Sequence, residues 1–467
     1  MTASVTTVAE RIGATLAGPQ RAGELVDATH DSRQVEPGWL FCCVPGDNVD
    51  GHRFAPAAVD AGAAALLVER VLPLDRPQLL VPSVRAVMGS AAAAVHGDPS
   101  GELRVVGVTG TNGKSSIVQL LSDTWRQVGV RNEIVGTLVG ARTTPEGTDL
   151  QRGFRLAVDR GVEAMAIEVS SHALSLGRVA GTRFRCAVFT NLTQDHLDFH
   201  GTMERYFEAK ASLFEPAMTE AAVINRDDPY GRRLLAGSAV GTVVDYGLDD
   251  AVDLRFDGAI SRFRWRGLDV VLQLAGSHNV LNALAAAACA ELLGMEAADI
   301  ADALCATSPV RGRFEAVDAG QPFHIAVDYA HTPDALRAAL VAARQVAGER
   351  RVIVVFGCGG DRDPDKRADM GTIAEQGADL IMVTSDNPRS EDPEAIIDDI
   401  LSGIGSRDRV VVEPDRQAAI GRAVEAAKAG DLVLIAGKGH ETYQIIGDRT
   451  IDFDDRQAAL IALGVVA

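Results

Sequence analysis

Basic residues, paired cysteines and long apolar runs are all scarce in this sequence of 467 residues. Lysine and arginine number 45 against 64 aspartates and glutamates, which gives a formal net charge of −19. This balance argues against a nucleic-acid binder, because nucleic-acid-binding domains are usually basic. It leaves anionic small-molecule ligands open, since a basic pocket can lie in an acidic protein.

Membrane spans and an export signal are also missing from the pattern. The apolar stretch 283–293 contains Glu291, and no run approaches the roughly 18–20 residues that cross a bilayer. Residues 1–14 lack a basic region followed by an apolar one, so we expect no signal peptide. The cysteines form no paired metal-binding motif, so we expect buried, reduced thiols in a cytoplasmic protein. They are Cys42, Cys43, Cys186, Cys289, Cys305 and Cys358.

The sequence does contain a repeated alternation of short β-branched runs with Ala-rich helical stretches. It predicts strands at 105–108, 188–190, 352–356, 380–384 and 432–436, and helices at 156–163, 282–293, 334–347 and 415–428. Such alternation is typical of an α/β fold with parallel sheets. Polar, turn-rich breaks at 96–101 and 308–312 predict three domains, at 1–98, 99–311 and 312–467.

A glycine-rich loop joins the first of these strands to an apolar helix. Its glycines would let backbone N–H groups converge on phosphate oxygens, Lys114 could reach the β- and γ-phosphates, and Ser115 could ligate Mg²⁺. Val108 stands where the strict motif has glycine, so the alternative is a simple strand–helix turn. The Gly-Lys-Ser order in this context favours a nucleotide phosphate site. Its residues would be Gly110, Thr111, Asn112, Gly113, Lys114, Ser115 and Ser116.

Two further candidate ligands follow predicted strands. Glu168 and His196 each come at or after a buried run, and ligands of open α/β sheets bind beyond the carboxyl ends of strands. We therefore expect both to complete the coordination of a phosphate-bound Mg²⁺. Taken alone each signal is weak, because a lone histidine is more often structural and Mg²⁺ prefers oxygen. Lys210, by itself, would be a solvated helix lysine.

Several longer motifs occur in one order along the chain. After the phosphate loop come Glu168-Val-Ser-Ser-His172, Thr190-Asn-Leu-Thr-Gln-Asp-His-Leu-Asp198, Gly276-Ser-His-Asn-Val-Leu-Asn282, Gly312-Arg313-Phe-Glu315 and Val327-Asp328-Tyr-Ala-His331. This order is that of Mur ligases, and the chain resembles their MurE type from Asp31-Ser32-Arg33 to Asp454-Asp455-Arg456. The resemblance implies a UDP-binding α/β domain, a central P-loop ATPase-like parallel-sheet domain and a Rossmann-like third domain that binds the amino acid.

The resemblance also implies a reaction. ATP would phosphorylate the γ-carboxyl of D-glutamate in a UDP-N-acetylmuramoyl-dipeptide, and the amine of an incoming amino acid would attack the acyl phosphate. Lys114 and Arg313 would handle the phosphates, and Asn282 and Asp328 would hold the adenosine. The Mg²⁺ ligands would be Ser115, Glu168, His196 and Lys210, the last as a carbamate. A carbamate would turn the lysine into an anionic oxygen donor, which suits Mg²⁺.

Family positions for the sugar nucleotide fall on Ser32, Asp47, Asn48, Thr143, Thr144, Ser170 and Arg178. Serine and threonine taken singly are common turn and cap residues. Leu176 replaces the glutamine that is usual in the family, and the segment 136–143 is short. We interpret both as drift compensated by neighbouring contacts. The alternative is a paralogue with a different muramoyl-peptide or non-peptidoglycan acceptor.

Asp386-Asn387-Pro388-Arg389 matches the motif of the family members that add meso-diaminopimelate. Diaminopimelate differs from lysine by a second carboxylate, which an arginine can bind bidentately. Lysine would instead bring an ammonium against Arg389. Arg362, Gly437 and Glu441 match the rest of this pocket, with Glu441 pairing an amino group. Taken alone, the motif could be a β-turn with a surface arginine.

Three other functions compete with a diaminopimelate-adding monomer that binds neither nucleic acid nor membrane. Addition of L-lysine is disfavoured by Arg389. A folylpolyglutamate-synthetase-like ligase is disfavoured by the Asp386–Arg389 motif and by Thr143-Thr144. A catalytically dead, nucleotide-binding regulator is disfavoured because Lys114, Glu168, His196 and Lys210 all remain.

Overall fold

The computed structural model describes residues 2–19, 23–46, 49–140, 142–257, 260–308 and 310–466. The chain divides into two compact units. The first comprises Met1–Gly110, Ile117–Leu192 and Thr202–Asp245, and the second comprises Thr111–Ser116, Thr193–Gly201 and Tyr246–Ala467. Across the described ranges, no helix is both long and apolar enough to cross a membrane.

The amino-terminal part of the first unit is a five-stranded sheet of order β2-β7-β6-β5-β4. Its pairs are parallel except for the antiparallel pair of β2 and β7. The strands are β1 (Ala3–Ser4), β2 (Thr15–Ala17), β3 (Glu24–Leu25), β4 (Asp27–Thr29), β5 (Trp39–Cys42), β6 (Ala65–Val68) and β7 (Gln78–Leu80). The helices are α1 (Val5–Ile12), α2 (Ala55–Asp60) and α3 (Val84–Val95). Strand β6 is buried along its whole length, as expected of a parallel strand covered on both faces.

A six-stranded sheet of order β13-β12-β11-β8-β10-β9 follows. Its strands are β8 (Arg104–Thr109), β9 (Asn132–Val135), β10 (Ala164–Glu168), β11 (Cys186–Phe189), β12 (Ala221–Asn225) and β13 (Thr242–Tyr246). The helices of this stretch are α4 (Lys114–Gln127), α5 (Gly147–Asp159), α6 (Ser171–Ser175), α7 (Leu197–His200), α8 (Met203–Ala211) and α9 (Pro229–Gly237). Strand β8 pairs in parallel with β10 and β11, so the carboxyl ends of these three strands lie at the same sheet edge.

The predicted helix at 156–163 is wrong in its bounds. Helix α5 begins at Gly147, and its buried residues Leu150, Phe154 and Ala157 recur at a helical spacing. It ends at Asp159 because Gly161 adopts the left-handed φ of 73°, which turns the chain toward β10. The other three predicted helices and the five predicted strands are present, with ends shifted by a few residues.

The second unit contains a six-stranded sheet of order β17-β18-β22-β19-β20-β21 and a three-stranded antiparallel sheet, β14-β15-β16. The strands are β14 (Val252–Asp257), β15 (Ile260–Trp265), β16 (Leu268–Leu272), β17 (Glu315–Ala316), β18 (His324–Asp328), β19 (Val352–Phe356), β20 (Leu380–Val383), β21 (Val410–Val412), β22 (Leu432–Ala436), β23 (Tyr443–Ile446) and β24 (Arg449–Asp452). The helices are α10 (Ser277–Leu292), α11 (Ala297–Ala306), α12 (Pro333–Ala347), α13 (Lys366–Gly377), α14 (Pro393–Ser402), α15 (Arg416–Ala426) and α16 (Asp455–Ala462).

Strand β22 shows why this larger sheet has two cores. Leu432 and Leu434 lie in one buried cluster, whereas Val433 and Ile435 lie in another. Successive side chains of a strand point to opposite faces, so an apolar run fills both clusters. The α/β fold class is therefore confirmed. Five of the six cysteines are buried and Cys305 is half-buried, all as free thiols.

A fully buried ion pair joins the helices α15 and α16. Arg416 Nε donates to Asp455 Oδ1 at 2.7 Å and Arg416 Nη2 donates to Asp455 Oδ2 at 2.8 Å, and neither side chain is exposed. Arg416 Nη2 also donates to the Ala436 carbonyl at 2.9 Å. The pair thus ties both helices to the carboxyl end of β22.

We expect Asp455→Ala to destabilise the protein by about 3–5 kcal/mol, because it leaves a buried guanidinium without its counter-ion. Asp452→Ala, at an exposed position of β24, is the control and should change stability by less than about 0.5 kcal/mol. Urea unfolding followed by circular dichroism measures both. Equal unfolding midpoints for the two variants would contradict this account of the pair.

Candidate active site

The loop between β8 and α4 passes too close to its neighbours to carry side chains at two positions. At Gly110, whose φ is 150°, a Cβ would lie 1.8 Å from Thr190 Oγ1. At Gly113, whose φ is 88°, a Cβ would lie 2.4 Å from Asn282 Oδ1. Residues with side chains rarely adopt these φ values. Both positions therefore require glycine, which leaves the backbone accessible to a ligand.

Two cationic side chains contact this loop. Lys114 Nζ donates to the Thr111 carbonyl at 2.8 Å. Arg313 Nη2 donates to Ser115 Oγ at 3.0 Å, and its guanidinium lies 4.7 Å from the centre of the Tyr329 ring. Arg313 Nε is buried and has no hydrogen-bond partner among the described residues. Because an unsatisfied buried donor is costly, an anionic oxygen bound there would be stabilised.

Asn282 lies beside the loop itself, and Asp328 lies beside the backbone that follows Arg313. Asn282 is buried on α10, with its side chain against Gly113. Asp328 ends β18 and accepts hydrogen bonds from the backbone N–H groups of Phe314 at 2.7 Å and Ala330 at 2.8 Å. The pKa of Asp328 is raised, because burial outweighs the lowering by Arg313 and the two N–H groups. Asp328 thereby fixes the backbone next to Arg313.

Asp195 carries a charge that sequence reasoning missed. Burial raises its pKa, but His196, His331, Lys114 and Lys366 outweigh burial, so that the pKa of Asp195 is lowered. His196 is the residue before α7, with a φ of 53°, and its Nε2 lies 3.4 Å from Asp195 Oδ2. Lys366 Nζ donates to the His331 carbonyl at 3.0 Å. Negative charge on Asp195 therefore balances the positive groups around it.

Lys210 is not the solvated lysine that its local sequence suggests. Its side chain is buried, with 1% exposure. Its Nζ donates to the Gly110 carbonyl at 2.8 Å and lies 4.7 Å from the centre of the Tyr206 ring. Helix α8 thus places an amine against Gly110, where the loop begins.

Glu168 is buried at the carboxyl end of β10. Its Oε1 accepts from the Thr137 N–H at 2.8 Å and its Oε2 accepts from Thr137 Oγ1 at 3.3 Å. A Cβ at Gly136 would lie 2.2 Å from Glu168 Oε1. The segment that begins at Gly136, noted above for its shortness, therefore packs directly against this carboxylate.

The four proposed magnesium ligands fall in different units: Ser115 and His196 in the second, Glu168 and Lys210 in the first. In the part of the chain that the structure describes, no group of three or more His, Cys, Asp or Glu residues could hold a metal ion by itself. Glu168 nevertheless suits a cation, because it forms no ion pair with any described residue. A buried carboxylate without a counter-ion is costly.

Four predicted sugar-nucleotide residues lie together next to Glu168. Thr144 Oγ1 donates to the Glu168 carbonyl at 2.8 Å and accepts from the Ser170 N–H at 3.1 Å. Arg178 Nη1 donates to the Thr144 carbonyl at 3.3 Å. Thr143 Oγ1 lies 3.3 Å from Thr137 Oγ1. Thr143 and Arg178, which are 35 positions apart in sequence, thus belong to one hydrogen-bonded group.

The remaining sugar-nucleotide residues lie in the amino-terminal part. Ser32 is half-buried in a single 3₁₀ turn, Ser32–Gln34. Two residues earlier, His30 Nδ1 contacts Thr148 Oγ1 of α5 at 3.2 Å. Asp47 and Asn48 lie outside the described residues.

The predicted amino-acid pocket is assembled after β20 and β22. Asn387 Nδ2 donates to Glu441 Oε2 at 3.0 Å, and the Arg389 N–H donates to the Ile445 carbonyl at 3.0 Å. Arg389, with a φ of 52°, also donates from Nη1 to the Gly360 carbonyl at 2.6 Å. These contacts hold a guanidinium and a carboxylate on one framework.

Backbone close approaches support the same framework. A Cβ at Gly360 would lie 2.0 Å from the Pro388 carbonyl oxygen, and one at Gly437 would lie 3.3 Å from Asp386 Oδ2. Arg362 is exposed and donates to the neighbouring Asp361 carbonyl at 3.3 Å. Its Cγ lies beside Gly359, as do Arg389 Nη1 and the Asn387 carbonyl oxygen. The structure therefore places Arg362 at the exposed edge of the group that the other predicted pocket residues form.

Sequence reasoning also missed Lys438, which lies within the pocket motif. Its side chain is completely buried, and Nζ lies 3.1 Å from Asp386 Oδ1 and 3.8 Å from Glu441 Oε2. The available signal was a lysine between two glycines directly after a fully buried strand, where a solvated side chain is not expected.

Three family models match the chain in succession. Residues 28–110 match the Mur ligase family, catalytic domain; residues 108–290 match the Mur ligase middle domain; and residues 312–439 match the Mur ligase, glutamate ligase domain.

Similar whole proteins include UDP-N-acetylmuramoyl-L-alanyl-D-glutamate–2,6-diaminopimelate ligases. The one from Geobacillus kaustophilus is 47% identical over 466 residues, covering 94% of this chain and 95% of the relative. The one from Listeria monocytogenes is 42% identical over 470 residues, covering 95% of each. A solved structure of a ligase with the same name is 33% identical, with a TM-score of 0.71 and 99% coverage of both chains.

A folylpolyglutamate synthase from Mycobacterium tuberculosis, solved with ADP and AMPPCP, has a TM-score of 0.65. It covers 81% of this chain and 96% of its own, at 18% identity, and so indicates a shared fold alone.

We expect Gly110→Ala to destabilise the protein by about 1–3 kcal/mol and to abolish ADP binding, because the new Cβ would overlap Thr190 Oγ1. Adding Thr190→Ala should recover part of the stability. Gly153→Ala in α5, where a Cβ meets nothing within 4 Å, is the matched control. Calorimetric ADP binding and thermal unfolding measure these effects, and unchanged ADP affinity in Gly110→Ala would contradict the loop assignment.

Proposed function

The chain belongs to the Mur ligase family, and from that membership we propose that it is an ATP-dependent amide ligase of peptidoglycan precursor synthesis. It joins meso-diaminopimelate to the D-glutamate of UDP-N-acetylmuramoyl-L-alanyl-D-glutamate. The observation that carries the proposal is the pocket in which Arg389 and Glu441 share one hydrogen-bonded framework. It offers a cation to a carboxylate and a carboxylate to an ammonium.

The reaction proceeds through an acyl phosphate. A γ-carboxylate oxygen of the substrate attacks the γ-phosphorus of ATP and ADP leaves. The amine of the amino acid then attacks the acyl carbon, the bond from carbon to the phosphate oxygen breaks, and inorganic phosphate and a proton are released. Charge builds on the transferring oxygens, where Lys114 and Arg313 supply positive charge beside the loop.

Magnesium belongs to the same proposal. Ser115, Glu168 and His196, with Lys210 as a carbamate, would hold it, and the bound ion would neutralise phosphate charge. The support is the buried Glu168 carboxylate, which forms no ion pair within the described ranges, and the buried Lys210 amine, which donates to the Gly110 carbonyl. Asn282 and Asp328 would hold the adenosine.

Diaminopimelate is favoured over lysine by the charges of the pocket. Arg389 would bind the distal carboxylate, with Arg362, Asp386, Asn387, Pro388 and Gly437 shaping the site, and Glu441 would pair the ammonium. A lysine substrate would leave Arg389 facing a second ammonium, which is repulsive. Rejection by an unpaired charge is a general route to specificity.

The muramoyl dipeptide would bind through Thr143, Thr144, Ser170 and Arg178, together with Ser32, Asp47 and Asn48. Leu176, which caps α6 with its N–H to the His172 carbonyl at 2.8 Å, takes the place of the family glutamine. We propose that the hydrogen-bonded group of Thr144, Ser170 and Arg178 compensates for the loss of that glutamine. We also propose that the protein is a cytoplasmic monomer, and its free cysteines are consistent with a reducing compartment.

ATP-dependent phosphate release with UDP-N-acetylmuramoyl-L-alanyl-D-glutamate tests the proposal, with meso-diaminopimelate and L-lysine offered in parallel. We expect release with diaminopimelate and little with lysine. Arg389→Met should lose most activity toward diaminopimelate, whereas Arg449→Met, at an exposed position of β24, should not. Release with lysine alone would overturn the pocket assignment, and release with neither would indicate a different acceptor.

Lys210→Ala should lower turnover on the order of a hundredfold or more, because it removes the anionic donor that the carbamate would provide. Short carboxylic acids added to this variant should restore part of the activity. Lys428→Ala is the control. Full turnover in Lys210→Ala would contradict any catalytic role, and failure of every acid to rescue it would contradict the carbamate.

A further inference from the structure

Lys438 is an ammonium buried in the floor of the amino-acid pocket, and the reaction as described above does not use it. Its Nζ donates to Asn387 Oδ1 at 2.9 Å and to the Tyr443 carbonyl at 2.9 Å. The same atom lies 3.1 Å from Asp386 Oδ1 and 3.8 Å from Glu441 Oε2. Four oxygens from separate parts of the pocket therefore surround one fully buried cation.

The contacts of Asn387 fix the orientation of its amide. Lys438 and the Ile445 N–H, at 3.0 Å, are both donors, so Asn387 Oδ1 must face them. Asn387 Nδ2 then necessarily points to Glu441 Oε2, to which it donates at 3.0 Å. Without a cation at position 438, the Ile445 N–H would be the one remaining donor among the described residues that holds the amide oxygen in this orientation.

Lys438 also balances the charge on Glu441. Burial and Asp386 raise the pKa of Glu441 above its usual value, and Lys438, Asn387 and Arg389 oppose that shift. The charged and titratable groups that act on or face Glu441 are Asp386, Arg389, Arg416, Lys438, Tyr329 and Tyr443. A carboxylate must be ionised to pair the ammonium of an incoming amino acid.

We infer that Lys438 is a positioning residue for the amino-acid substrate: its ammonium locks the Asn387 amide and keeps the Glu441 carboxylate charged and oriented toward the substrate amino group. This rests on the proposed function only in the identity of that substrate. Lys438 touches neither the phosphate loop residues nor Arg313 in any contact described. Its effect is therefore confined to the amino-acid step.

The test compares Lys438→Met, a neutral residue of similar length, with Lys438→Arg, which keeps the cation. For Lys438→Met we expect the KM for diaminopimelate to rise about tenfold or more, with the KM for ATP within about twofold of the wild type. The acidic limb of the pH profile of kcat/KM for diaminopimelate should move up by about one pH unit. The reason is that the Lys438 ammonium, which favours the ionised form of Glu441, is gone. Lys438→Arg should regain part of both.

A second measurement needs no substrate, so its outcome is separate from that of the proposed function. Carbon-13 NMR of the glutamate carboxyls, with Glu441 assigned from Glu441→Gln, follows the titration of Glu441 in wild type and Lys438→Met. We expect the pKa of Glu441 to be higher in the variant. If the wild type adds a different amino acid, the kinetic comparison is made with that one.

If Lys438→Met fails to fold, Asn387→Asp replaces it, since it keeps an acceptor for Lys438 and Ile445 while placing an oxygen against Glu441. That variant should likewise raise the KM for the amino acid and the pKa of Glu441. Equal increases in the KM values for ATP and diaminopimelate, or an unchanged Glu441 titration with a lowered melting temperature, would overturn the inference and leave Lys438 a purely structural residue.

Discussion

The proposed phosphate site depends on the close packing of its loop, because backbone N–H groups can converge on phosphate oxygens only where no side chain lies between them. Gly110 lies against Thr190 and Gly113 lies against Asn282, each so closely that a single methyl group would overlap its neighbour. The loop is therefore fixed by packing as well as by its own sequence. Lys210 donates to the Gly110 carbonyl of this loop, and Arg313 donates to the Ser115 hydroxyl.

The amino-acid pocket meets a different constraint, which is the cost of burying charge. Asp386 and Glu441 both lie near the fully buried Lys438 ammonium, Glu441 also accepts from the Asn387 amide, and Arg389 donates to the Gly360 carbonyl. Buried charges are tolerated only when opposite charges or hydrogen bonds compensate for the lost water. A substrate with two carboxylates and two ammonium groups would pair both Arg389 and Glu441, whereas a substrate that lacks the second carboxylate would leave Arg389 unpaired.

The motifs that are contiguous in sequence were predictable: the strand–loop–helix at Gly110, the alternation of strands and helices, and the turn that presents Arg389. Residues whose surroundings come from distant segments of the chain were not predictable. Lys210 has the local sequence of a surface helix, and only the contact with a carbonyl 100 positions away shows its burial. Asp195 and Lys438 were missed for the same reason, since charged neighbours from other segments define them. The predicted helix at 156–163 started too late, because α5 already begins at Gly147, and ran past the left-handed Gly161 that follows its true end.

The most direct test of the central claim follows an oxygen atom. The γ-carboxyl of D-glutamate in UDP-N-acetylmuramoyl-L-alanyl-D-glutamate is labelled with oxygen-18, and the phosphate released in the presence of ATP and meso-diaminopimelate is analysed by mass spectrometry. An acyl phosphate route predicts one labelled oxygen in each released phosphate. Unlabelled phosphate, with the label retained in unreacted nucleotide or released into water, would contradict the assignment of this chain as an amide ligase of this mechanism.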